Sequence, residues 1–196
     1  MHVKEMLFAI YRDIAGFGIR YAPSACIVAA GAVLLYVLVM QRLKKYFVLS
    51  QAMEECVCGM NRPERMGRLF CLVAYLYIVI GITILSRSEG STSGASFELF
   101  RTFRNTFFAR KQICENILMF VPYAVLLYGF TKSLRRWWIV LFVGAGSSLL
   151  IEVTQWMTRT GYFEVDDILT NTIGMMFGYL LCRIIEIGYK KIKKTS

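Results

Sequence analysis

The sequence predicts an all-α fold: a polytopic transmembrane bundle of about five spanning helices, with an N-terminal amphipathic interfacial helix. Two observations carry this reading. Of the 196 residues, 57% are hydrophobic, with a mean hydropathy of +0.52. Charged residues make up 18% and cluster between apolar runs, where a soluble domain would carry about 25%. The length suits a single domain.

The apolar runs follow one another along the whole chain. A membrane-crossing helix needs roughly 17–25 mainly apolar residues, and five stretches qualify: Pro23–Met40, Leu69–Leu85, Ile113–Phe130, Trp137–Met157 and Ile168–Ile187. Trp137, Trp138, Trp156 and Tyr162 fall at the ends of these runs, where an aromatic belt would place them. Ahead of the first run, Val3, Met6, Leu7, Ile10, Ile14 and Phe17 recur at helical spacing, with Lys4, Glu5, Arg12 and Asp13 mostly on the other face. That pattern suits a helix lying in the interface. It does not suit a cleaved signal peptide, because the apolar run starts late and Arg42, Lys44 and Lys45 follow it. The expected divisions are therefore 1–22 (interfacial helix), 23–68 (first span and loop), 69–187 (a four-helix transmembrane domain) and 188–196 (a basic tail).

Net charge is +10. The basic residues border apolar segments, so orientation in the bilayer and contact with anionic lipid explain them, and a nucleic-acid partner is not expected. Lys and Arg number 6 in the 41–68 loop, 3 in the 131–136 loop and 5 from Arg183 onward. The opposite side carries 3 before the first span, 5 in the 86–112 loop and 1 in the 158–167 loop. This bias favours an external N-terminus and a cytoplasmic C-terminus.

Six cysteines are present without a CxxC, and His2 is the only histidine. Closely spaced zinc ligands are missing, so no metal site, disulfide framework or cofactor is expected. There is no HExxH, no GxSxG and no phosphate-cradling glycine loop. Three carboxylates, Glu164, Asp166 and Asp167, lie close enough in sequence to hold a divalent ion, a weak signal.

Polar residues inside the last three spans are the candidates for function. An ionisable side chain at the bilayer centre costs roughly 2.5–3.5 kcal/mol on insertion scales, so it needs compensation. Ser148, Glu152, Gln155 and Arg159 are spaced 4, 3 and 4, which puts them on one helix face. Glu152 sits about 8 Å from the helix end at ~1.5 Å per residue, within reach of water or headgroups. It either serves a site or is neutralised by a basic neighbour and joins helices. Asp167, Asn171, Gly174 and Gly178 share a face of the fifth span, which is expected to pack on the fourth. Asp166 or Asp167 also suits the positive end of the helix dipole. The third span opens with Glu115 and Asn116 and contains Pro122, a bend point. Arg183 and Glu186 lie near the end of the fifth. In the 86–112 loop, Arg87, Arg101, Arg104, Arg110 and Lys111 are available to pair Glu152 and Asp167 or to hold a phosphate or carboxylate, and Phe100, Phe103 and Phe107 fit a helix lying on the membrane.

These polar residues carry a family resemblance. Glu115-Asn-Ile-Leu-Met-Phe-Val-Pro-Tyr123 resembles the N-x-x-x-F-x-P segment of VanZ-like membrane proteins. Ile151-Glu-Val-Thr-Gln-Trp156, Arg159-Thr-Gly, Val165-Asp-Asp-Ile-Leu-Thr-Asn171 and Gly174 resemble that family's E-x-x-Q, R and D-D-x-x-x-N-x-x-G block. The second span, ending in Ser86-Arg87, is similar to the family's first conserved helix, so the likeness covers residues 69–182. One segment departs: Phe97-Glu-Leu-Phe-Arg-Thr-Phe103 stands where the family shows an N-L-x-P-F-like run, without its Asn and Pro.

The resemblance implies a multi-pass protein of the bacterial plasma membrane, in a family whose namesake is associated with low-level teicoplanin resistance. It carries over Asn116, Glu152, Gln155, Arg159, Asp166, Asp167 and Asn171, and Arg87 joins them as an anion-holding candidate. The expected ligand is amphipathic, a lipid-linked cell-wall precursor or a lipoglycopeptide, held at an outer-leaflet polar pocket among membrane lipids. Two other readings stay open. One is an intramembrane enzyme acting on a lipid headgroup, with Glu152 as general base and a divalent ion at Asp166 and Asp167. The other is a small transporter or flippase, which at this length would work as a homo-oligomer.

Overall fold

The computed structural model describes residues 3–43, 62–85, 94–98, 106–131 and 133–195. The described residues form five helices: α1 (Val3–Leu43), α2 (Arg62–Ile80), α3 (Phe107–Tyr128), α4 (Trp137–Met157) and α5 (Val165–Thr195). A π-helical turn, Gly81–Leu85, ends α2, and a 3-10 turn, Ser133–Arg135, leads into α4. Two short strands, β1 (Gly94–Ser96) and β2 (Tyr162–Glu164), pair in parallel with Gly94 opposite Tyr162 and Ser96 opposite Glu164. The chain is an all-α polytopic bundle, as its apolar runs require.

Among the described residues, four helical segments are long and apolar enough to cross a membrane: Val3–Arg42, Pro63–Leu85, Trp137–Met157 and Val165–Lys193. The fifth expected span falls on α3, whose first half carries Arg110, Lys111, Gln112, Glu115 and Asn116 and is too polar to meet the same measure. Neighbouring helices compensate, since α3 packs against α5 over most of its length and against α2. Phe120, Ala124 and Tyr128 of α3 join Val140, Met175 and Tyr179 in the buried core.

The N-terminus differs from expectation. A separate interfacial helix over 1–22 is not seen, because α1 runs unbroken through Pro23. Proline removes one backbone hydrogen bond, the one its N–H would have given to the Ile19 carbonyl, without ending the helix here. α1 packs on α2. Gly81 makes room for the Tyr21 ring, since a Cβ there would lie 2.9 Å from the ring. Near the other end of the pair, Arg65 Nη1 lies 3.4 Å from the Tyr36 hydroxyl. Lys111 bridges Asp13 of α1 and Glu115 of its own helix. The Asp13 carboxylate holds the Lys111 ammonium above the ordinary lysine range.

The paired glycines of α5 meet a different partner from the one expected. Cβ atoms at Gly174 and Gly178 would fall 2.3 Å and 2.5 Å from the Ile117 and Val121 carbonyl oxygens of α3. So this stripe sets the α3–α5 contact. The α4–α5 contact is made instead where Gly144 receives Met175.

Candidate functional site

The elements that carry Asn116, Glu152, Gln155, Asp166, Asp167 and Asn171 converge at one end of the bundle. There the π turn of α2, the start of α3, the end of α4, strand β2 and the start of α5 come together. The spacing of Ser148, Glu152 and Gln155 has its expected consequence, for all three are buried on the inner face of α4. Asp166, Thr170 and Asn171 are buried on α5, with Asp167 half-buried. Fully buried polar groups must find partners, because each unpaired one costs on the order of 1–3 kcal/mol.

The partners tie five elements together. Gln155 donates to the Thr83 carbonyl at 3.0 Å, joining α4 to the π turn. Glu152 accepts the backbone N–H of Glu164 at 2.9 Å, joining α4 to β2. Asn171 donates to Ser148 Oγ at 2.8 Å between α5 and α4. Asn116 donates to Thr170 Oγ1 at 3.2 Å between α3 and α5, and Thr170 in turn donates to the Asp166 carbonyl at 3.0 Å. Gln112 spans Glu164, at 3.1 Å, and Asp167, at 3.0 Å. One acceptor is left over: Asn171 Oδ1 is buried with no donor among the described residues.

Arg159 departs from the face predicted for it. The helix stops at Met157, and the next residues form a terminating turn in which Thr160 N–H bonds Gln155 O at 3.0 Å and Arg159 N–H bonds Trp156 O at 3.3 Å. This double closure is the Schellman arrangement, whose C′ residue takes a left-handed backbone and is usually glycine. Arg159 occupies it with φ 55° and is exposed. The spacing of 4 beyond Gln155 therefore carries no facial meaning, because the helix has already ended.

Arg87 lies outside the described residues, as do Phe100, Phe103, Arg101 and Arg104 of the same loop. Among the described residues, no three carboxylate, thiol or imidazole groups gather as metal ligands. Glu164 and Asp167 share the Gln112 amide, while Asp166 is buried behind them.

Several participants had no place in the motif reading. Gln112 lies one residue ahead of the expected third span, and Thr83 sits in a run read as almost wholly apolar. Thr170 lies beside the matched Asn171. A polar residue inside an otherwise apolar span was a usable signal for Thr83. Nothing local pointed to β1, which reaches β2 across more than sixty residues. Gly94 permits that close pairing, since a Cβ there would collide with the Tyr162 ring at 2.1 Å. Phe97 then stacks at 5.7 Å on Phe163, covering the strand.

Comparison with curated proteins and with solved structures gives no match. The family model described as VanZ/LLP1 matches residues 70–186, a stretch that contains α3 and α4, most of α2 and α5 and every described member of the polar cluster. With well over half of its length matched, the chain belongs to the VanZ/LLP1 family.

Proposed function

We propose that this chain is a protein of the bacterial plasma membrane that binds an amphipathic ligand at the polar end of its bundle. The ligand is a lipid-linked cell-wall precursor or a lipoglycopeptide such as teicoplanin, and binding confers glycopeptide protection on the cell. The N-terminus and the polar cluster face outward, in keeping with the excess of Lys and Arg at the opposite end. The observation that supports this reading best is the concentration of Glu152, Gln155, Asp166 and Asn171, all buried, within a few residues of the helix ends. Such groups are expensive in hydrocarbon, and their place near the helix ends sets them close to the headgroup region.

Within this reading each part has a task. Arg159 and Arg87 hold an anionic group of the ligand through charge-assisted hydrogen bonds. The strained backbone of Arg159 supports its place in the set, since such strain gathers at ligand clamps. Asn116 and Asn171 supply hydrogen bonds to the polar headgroup, with the unmatched Asn171 Oδ1 accepting from a ligand hydroxyl or amide. Glu152 and Gln155 keep β2 and the π turn in register around it.

The test is the teicoplanin inhibitory concentration of a susceptible Gram-positive host. The host expresses the wild type or Glu152→Gln at matched membrane levels. Protection by the wild type that disappears in the variant is expected. No protection from a well-inserted wild type would remove the resistance reading and leave the fold untouched.

A further inference from the structure

The end of the bundle opposite the polar cluster holds a second arrangement. Glu186 of α5 receives Arg135 at 3.3 Å, Arg183 at 3.3 Å, Lys190 at 2.6 Å and the Tyr128 hydroxyl. Four donors fill the roughly four lone-pair sites of one carboxylate. The cations are not neutralised in return: three positive groups share one negative group, leaving two charges in excess. Arg135 is the best placed of them. Its guanidinium lies 5.6 Å over the Tyr128 ring, its backbone carbonyl accepts from the Tyr179 hydroxyl at 3.1 Å, and its Nε is buried with no acceptor among the described residues. Arg68 of α2 adds a fourth cation. Its guanidinium crosses so close over Gly129, next to Tyr128, that a Cβ there would meet Nη1 at 1.4 Å. No carboxylate among the described residues pairs with it.

A donor left over on Arg135 and an excess of charge call for an acceptor with several oxygens and a negative charge, and phosphate is the group guanidinium forks fit best. The surroundings say which phosphate. Leu181, Ile184 and Ile185 of α5 flank Arg183 and are exposed, so the site opens sideways to acyl chains. We propose that Arg68, Arg135 and Arg183 form a binding site for the phosphodiester headgroup of one anionic phospholipid. Glu186 and Tyr128 position the arginines by fixing their side chains. The site is separate from the polar cluster and depends neither on the ligand of that cluster nor on the orientation of the chain.

Native mass spectrometry of the full chain in non-ionic detergent tests this, with titration by dioleoyl phosphatidylglycerol or dioleoyl phosphatidylcholine. One phosphatidylglycerol adduct is expected, about tenfold tighter than any phosphatidylcholine adduct. Arg68→Gln and Arg135→Gln should each weaken it by about tenfold, and Arg136→Gln, an exposed basic neighbour outside the cluster, should leave it within about twofold. Because Arg135 also supports Glu186, its loss can loosen this end of the fold, and Arg68→Gln then decides alone. Equal binding of the two lipids, or equal weakening by Arg68→Gln and Arg136→Gln, would overturn the site. Displacement of the lipid by millimolar inorganic phosphate would also overturn it as a lipid site and reassign it to a free anion.

Discussion

Adding one methyl group at Gly174 should pull the site apart without touching a polar residue. A Cβ at that position lies 2.3 Å from the Ile117 carbonyl oxygen and 2.9 Å from its Cα, where ordinary contact begins at 3.4 Å. Both atoms are backbone, so no side-chain rotation relieves the clash, and α3 must move from α5 by about 1 Å. Overpacking of this kind costs about 1–3 kcal/mol. Gly146 on α4 is the control, because nothing lies within 4 Å of a Cβ there. Alanine at that position gains only helix propensity, about 1 kcal/mol. Gly174→Ala gains the same propensity, so that contribution cancels and the two variants should differ by roughly 1–3 kcal/mol. The assay is unfolding by sodium dodecyl sulfate in mixed micelles, followed by helical circular dichroism. The same 1 Å also stretches the Asn116–Thr170 bond, already 3.2 Å long, and the Gln112–Asp167 pair. Under the proposed function, Gly174→Ala is thus expected to lose teicoplanin protection as well as stability. If it resists detergent as well as Gly146→Ala, the α3–α5 contact through Gly174 is refuted.

Arg159→Gly should separate stability from function: relief of the left-handed strain stabilises the fold by about 1 kcal/mol in the same titration, while protection in the inhibitory-concentration assay falls. A variant that is both more stable and fully protective would remove Arg159 from the site. Gln155→Leu keeps the volume but leaves the Thr83 carbonyl without its side-chain donor, so a loss of about 1–3 kcal/mol is expected in detergent unfolding. Asp13→Asn should cost under about 1 kcal/mol, because both members of the Asp13–Lys111 pair are partly open to solvent; a larger loss would mean that α1 is held mainly through this bridge.

The sequence was most informative where one period governs both pattern and packing. Ser148, Glu152 and Gln155 could be grouped from spacing alone because α4 is straight and regular to Met157. Arg159 could not, since extending the same spacing assumes a helix that has already closed on itself at Thr160. The glycine face of α5 was visible, but its partner was not: a stripe of small residues says that a neighbour comes close without naming which one. Ile117 and Val121 of α3 carry no mark of that role. The β1–β2 pairing depends on a contact between distant segments, and its three-residue strands are too short to show a period. The unbroken course of α1 through Pro23 was hidden for another reason. In a membrane, proline is no reliable helix boundary, because nearby hydroxyls and helices can satisfy the freed carbonyl.

That course of α1 has a mechanical consequence. Forty-one residues make a rod of about 60 Å, roughly twice the hydrocarbon thickness. It is pinned near its middle, where the Tyr21 ring fills the notch over Gly81. From there about 27 Å extends toward Val3 and about 33 Å toward Leu43. Pro23, the one internal position without an amide hydrogen, stands two residues from the pin. Joint and fulcrum therefore coincide. A bend at Pro23 would swing the arm leading to Asp13 and Lys111 about the Tyr21–Gly81 contact and leave the arm leading to Tyr36 and Arg65 in place. Gly81 is also the first residue of the turn whose Thr83 carbonyl receives Gln155, so the same contact connects α1 to the polar cluster.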